Sequence, residues 1–135
     1  MQMSDTSQKA EFVYVNGQFP PAGQATVSVF DAGLLHGAGL FETLRSYNGR
    51  VFCGRQHLDR LYHSAEVLCL NVPDNADEIL EAMHELLRRN EITDARLRLT
   101  VTMGDTRLAA RQDGIARCNV IISAVPLKPH PQRLY

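Results

Sequence analysis

The chain has 135 residues, 44% of them hydrophobic, and a formal net charge of −1. That length suits one domain with a modest core, and the near-neutral balance, free of blocks of like charge, excludes an electrostatic nucleic-acid binder. No apolar run reaches membrane-spanning length, and the polar opening MQMSDTSQKAE is not a signal peptide.

Residues 1–11 read as a disordered lead-in. FVYV then predicts a short strand that turns at Asn16-Gly17, a strong hairpin signal, and ATVSVF predicts a second strand. GLLHGAGLFETLR follows. Its first seven residues hold three glycines, which weaken any helix or strand, so the stretch serves a tight backbone path or a site. LFETLRSY reads as a strand, Asn48-Gly49 as a second hairpin turn and RVFC as the returning strand.

From Arg55 to about Leu70, residues Leu58, Leu61, Tyr62, Ala65, Leu68 and Cys69 recur at helical spacing, and Pro73 ends the pattern. Packing in the core explains Cys69 on that face. A second helix spans about Asn75 to Arg89, with Ile79, Leu80, Met83, Leu86 and Leu87 on its apolar face. Asp77 and Glu78 in its first turn and Arg88 and Arg89 in its last suit the helix dipole, and Asn90 serves as its stop. In ARLRLTVTMG, Ala95, Leu97, Leu99, Val101 and Met103 alternate with Arg96, Arg98, Thr100 and Thr102, the mark of a strand with one buried face. CNVIISAV is a nearly all-apolar strand. The predicted fold is α+β, a two-layer sandwich of a mostly antiparallel sheet with two helices on one face. The cysteines Cys53, Cys69 and Cys118 are odd in number and lack metal-ligand spacing, so they predict reduced thiols in a cytoplasmic protein and no metal site.

VYVNGQF, HGAGLFETLRSYNGRVF, HLDRLYHSAEVL and ARLRLTVTMGD together resemble the N-terminal small domain of class IV, fold-type IV, pyridoxal-phosphate enzymes. That family includes branched-chain and D-amino-acid aminotransferases and aminodeoxychorismate lyase. The resemblance covers Phe12 to Val125. It implies that residues 12–126 form the small domain and that the Pro-rich residues 127–135 lead into a C-terminal domain absent here. It further implies a homodimer that uses pyridoxal 5′-phosphate to act on an amino acid and a 2-oxo acid, with no nucleic acid or membrane partner. Such chemistry needs a lysine to hold the cofactor as a Schiff base. Lys9 lies in the polar lead-in and Lys128 between prolines, so both read as solvated, no catalytic lysine is assigned, and the chain alone is expected to be inactive.

By residue spacing alone Arg60 is a surface arginine; the resemblance makes it a ligand of the cofactor phosphate, with His57 as packing or support. The resemblance also points to His36, Phe41 and Arg45 as substrate-pocket positions. His36 reads equally as a turn residue and Phe41 equally as core. Arg96, where branched-chain enzymes carry Tyr, lies beside Arg98 on one strand face, and Arg107 and Arg111 follow in the next loop. Like charges this close are easier to keep around an anion such as a substrate carboxylate, although each arginine taken singly reads equally as solvated. A lyase, a stand-alone anion-binding module and a dimerisation domain stay open beside the aminotransferase. His36, Arg45 and the arginines of the later strand are expected on one concave surface, with the helices on the other side of the sheet.

Overall fold

A computed structural model describes residues 11–107 and 117–127. Strand β1 (Tyr14–Val15) is followed by a 3-10 turn at Ala22–Gln24, a short helix α1 (Ala32–His36) and the long strand β2 (Gly39–Tyr47). Next come β3 (Arg50–Phe52), α2 (Gly54–Val67), α3 (Ala76–Asn90), β4 (Ala95–Thr102) and β5 (Asn119–Pro126). Among the described residues the sheet has five strands in the order β1-β5-β4-β2-β3, and every pairing is antiparallel.

Alternation decides which face is covered. Leu97, Leu99 and Val101 of the central strand β4 are fully buried, and so are Val120 and Ile122 of β5. They pack with Leu44 of β2 against Leu58 and Leu61 of α2 and Ile79, Met83, Leu86 and Leu87 of α3. Each such side chain contributes on the order of 1.5–3 kcal/mol by leaving water, which is why both helices settle on this face and the arginine-bearing face stays open. Asn48 and Gly49 take φ of 50° and 78°, the left-handed pair that a two-residue hairpin between twisted strands requires. Helix α3 is secured at its start by a reciprocal bond pair between Asn75 and Glu78, and its last turn carries Arg88 and Arg89.

The chain differs from the sequence reading in three places. Residues 25–30 form no strand, and Val27, Val29 and Phe30 are exposed. Pro20 and Pro21 lack N–H donors, the 3-10 turn diverts the chain, and β1 takes β5 as its partner. Helix α2 stops at Val67, so Leu68 and Cys69 continue the apolar spacing but point outward; Cys69 is left-handed at φ 56°, and Leu70 enters the core instead. Asn90 is the last helical residue, and the left-handed stop is Glu91. The buried Asn90 side chain serves another purpose: its Oδ1 accepts from Phe12 N at 2.7 Å and its Nδ2 donates to Phe12 O at 2.9 Å, fastening the start of the domain to α3. Among the described residues the cysteines are free, no metal-binding cluster occurs, and no helix is long and apolar enough to cross a membrane.

Candidate active site

On the open face of the sheet, register brings the arginines together. Arg45 of β2 lies directly opposite Arg96 of β4, and Thr43 lies opposite Arg98. The Arg98 guanidinium carbon stacks 3.9 Å from the centre of the Phe41 ring, and that of Arg45 stacks 4.8 Å from the Tyr47 ring. None of the three arginines pairs with a carboxylate among the described residues. Two shallow depressions share Thr43 and Arg96. One, of about 240 Å³, also takes in Arg45, Phe52 and His57; the other, of about 420 Å³, takes in Arg98 and Ser123. Three guanidiniums on one uncovered surface with no acid among them make a surface that attracts anions.

Of the other proposed residues, Phe41 shares this face, and His36 and Arg107 lie away from it. His36 ends α1, three residues ahead of Gly39, which pairs with Thr102 at the far end of the β2–β4 ladder from Arg45. Phe41 is on the open face, 59% exposed. Arg107 lies just beyond β4, donates to Asp105 from Nε at 3.2 Å and Nη2 at 3.0 Å, and stacks on Phe30. Arg111, Lys9 and Lys128 lie outside the described residues.

A second arginine feature occupies an edge. Strand β3 is so short that it pairs only with Arg45–Tyr47, so residues 39–44 of β2 have no strand neighbour on that side among the described residues. Helix α2 starts there and places His57 and Arg60, one turn apart, over Glu42. Arg60 donates from Nε to Glu42 Oε1 at 2.7 Å and from Nη2 to Oε2 at 2.6 Å, while His57 Nδ1 lies 2.8 Å from Oε2. An ionised carboxylate only accepts, so the His57 proton on this side is at Nδ1. The Glu42 side chain is 8% exposed and that of Arg60 is 67% exposed. Gln56, His57 and Arg60 line a depression of about 190 Å³.

The Arg60 hydrogen bonds hold the Glu42 carboxyl below its ordinary value of 4.5, against burial and with help from His57. A carboxylate with a lowered folded value contributes stability above its unfolded value, and that contribution is lost as pH falls through the folded one. Glu42→Gln therefore flattens the fall in stability below pH 4.5. Urea unfolding at stepped pH reads this directly, and an acid limb as steep as in the unsubstituted chain would refute it.

The glycine stretch is a packing device that aims β2. Asp31, 1% exposed, caps α1 by accepting from Gly33 N at 2.6 Å and accepts from Thr102 Oγ1 at 2.7 Å and from Asn119 Nδ2, tying α1 to the ends of β4 and β5. A Cβ on Gly33 would meet the Thr102 side chain at 2.7 Å, and one on Gly39 would meet Val101 O at 2.6 Å. Gly37, left-handed at φ 68°, ends the helix. Sequence reading passed over both Asp31 and Glu42. Glu42 did carry a signal, since it shares the inward face of its strand with Leu44, and an acid there needs a partner. Asp31 precedes a helical AGLL as a cap would, but its burial depends on the distant Thr102 and Asn119.

This is a two-layer α+β domain with a cationic sheet face that its two main helices leave uncovered. Its ancestry is specific: the chain belongs to the class IV aminotransferases, since residues 39–135 match the family model Amino-transferase class IV. A Methanocaldococcus jannaschii protein bearing the name branched-chain-amino-acid aminotransferase is 43% identical over 119 residues, covering 87% of this chain and 41% of that protein. The Escherichia coli branched-chain-amino-acid aminotransferase is 31% identical over 125 residues, 90% of this chain and 40% of that enzyme. The solved T.th. branched-chain amino acid aminotransferase with pyridoxamine 5′-phosphate superposes with a TM-score of 0.82 at 28% identity, covering 94% of this chain and 43% of that one. The chain thus spans about two fifths of the length of these relatives.

Proposed function

We propose that the chain is the small domain of a pyridoxal-phosphate-dependent aminotransferase that acts on branched-chain-like amino acids and their 2-oxo acids. The observation that carries this reading is the set of arginines, Arg45, Arg96 and Arg98, that have no acid partner among the described residues and lie on a face that the domain's own helices leave open. The names of the relatives support aminotransfer on branched-chain substrates over the lyase reading. The exposed Val27, Val29, Phe30, Leu34 and Leu35 support cover by a second domain or a second copy, as in a homodimer.

The residues present fit the cofactor's phosphate. Arg60 is exposed and permanently charged, and its Nη1 donates to no described residue, so it would hold that phosphate at the β2 edge. When bound, pyridoxal phosphate withdraws electrons from the amino acid's α-carbon. This domain's residues would bind and orient: Arg60 the phosphate, Arg45, Arg96 and Arg98 the substrate carboxylate, and Phe41 and Phe52 an apolar side chain. No described residue is a lysine, so the proton-moving base is assigned to the second domain.

In the full-length parent, Arg98→Ala raises KM for the amino acid about tenfold, as loss of a charge-assisted carboxylate contact does, and leaves cofactor affinity unchanged. Steady-state kinetics beside cofactor titration check this. A loss of kcat alone would mean that Arg98 shapes the strand and does not bind substrate.

A further inference from the structure

We infer that Glu42 is a positioning residue that fixes the Arg60 guanidinium with its anion-binding end turned outward, and that His57 fixes Glu42 in turn. The inference rests on the reading of Arg60 as a phosphate ligand and assigns the means by which that ligand is held ready.

The geometry divides the guanidinium into two ends. Of its five N–H groups, Nε–H and one on Nη2 are spent side-on against the two oxygens of Glu42, at 2.7 and 2.6 Å. Those on Nη1 meet no described acceptor, and Arg60 is one of the three residues, with Gln56 and His57, that line a depression at this edge. Arg60 is 67% exposed at its side chain, so without a tether its long stem would sample many rotamers, whereas Glu42 is 8% exposed and rooted in the middle of β2. His57 Nδ1–H, at 2.8 Å from Oε2, supplies the third bond to the carboxylate and holds its plane. A carboxylate beside a phosphate site is unfavourable by charge alone, since it repels the anion that the arginine attracts. Its place under Arg60 is accounted for by the entropy it removes before binding, because an ordered side chain has less freedom left to lose when the anion arrives.

Charge and position predict opposite signs, and this makes the inference testable with inorganic phosphate as the probe. The 135-residue chain, labelled with nitrogen-15, is titrated with phosphate at low ionic strength, and the Arg60 Nε–H resonance is followed together with the backbone N–H resonance of Gln56, which lines the same depression and is present in every variant. Arg60→Ala first identifies the Nε–H resonance and removes the response at Gln56. In Glu42→Gln the Arg60 Nε–H loses its protection from solvent exchange, and the phosphate dissociation constant, read at the backbone N–H of Gln56, rises about threefold to tenfold, although a negative charge has been removed. The response at Arg45, Arg96 and Arg98 stays as it was and serves as the internal reference. If Glu42→Gln folds poorly, Arg60→Lys tests the same geometry. A lysine keeps the charge but cannot engage carboxylate and anion at opposite ends, so its affinity falls nearly to that of Arg60→Ala. Tighter or unchanged phosphate binding in Glu42→Gln, with Arg60→Ala still abolishing the response, overturns the positioning role and leaves the phosphate reading standing. No phosphate response at Arg60 in the unsubstituted chain overturns both.

Discussion

Arg60→Ala in the full-length parent lowers affinity for pyridoxal phosphate about tenfold to a hundredfold, the loss expected of a charge-assisted contact to phosphate. An exposed arginine would ordinarily be removed at no cost to folding, but this one neutralises Glu42, which is only 7% exposed. The substitution therefore also lowers thermal stability, because it leaves a carboxylate in the protein without its cation. The two effects separate in a double variant. Adding Glu42→Gln to Arg60→Ala restores most of the stability, since the orphaned charge is gone, and restores none of the cofactor affinity, since the residue proposed to hold the phosphate is still missing. Titration of the apo-protein and thermal melts of the two variants beside the unsubstituted protein check both halves. Cofactor affinity unchanged in Arg60→Ala would remove Arg60 from the phosphate site.

The largest effect on folding is expected at the centre of the sheet. Leu97 is fully buried and lies between Leu44 on β2 and Ala124 on β5, beneath both helices. Leu97→Ala removes its transfer energy and leaves a cavity that close-packed neighbours cannot fill, at a cost of about 3 kcal/mol, within the range of roughly 2–5 for such sites. For a domain of this size that lowers Tm by about 10–20 °C. Arg98→Ala, the next residue on the same strand, changes stability by less than about 0.5 kcal/mol because its side chain faces away from the core. Denaturant unfolding of the two variants side by side gives the contrast. Similar losses in both would mean that the arginine face is covered as well.

How much of this was legible without coordinates follows from the range of the forces involved. Alternation in ARLRLTVT, helical spacing in α2 and α3 and the two Asn-Gly turns are local signals: each reports which side of one element avoids water, or which dipeptide tolerates left-handed backbone. From them the antiparallel sheet, the two helices on one face and the open arginine face could be read correctly. The same local logic failed at residues 25–30, because alternating apolar residues describe a strand only where a neighbouring strand offers its hydrogen bonds, and β5 offers its free edge to β1. It failed again at Cys69, because spacing cannot tell where a helix stops.

Side-chain pairing was the part that only the tertiary structure decided. The sequence alone determined that this protein has one apolar sheet face, two helices to cover it and a cationic face left over, since those properties follow from residue type and a repeat of two or 3.6 positions. The Arg45–Arg96 juxtaposition needed the register between β2 and β4, 51 residues apart, and hydrogen-bond register is a property of two strands together. The Arg60–Glu42 clasp needed β3 to end early enough to bare the β2 edge where α2 begins. Both depend on elements distant in sequence meeting at hydrogen-bonding range, where a displacement of one residue turns a side chain to the opposite face of the sheet.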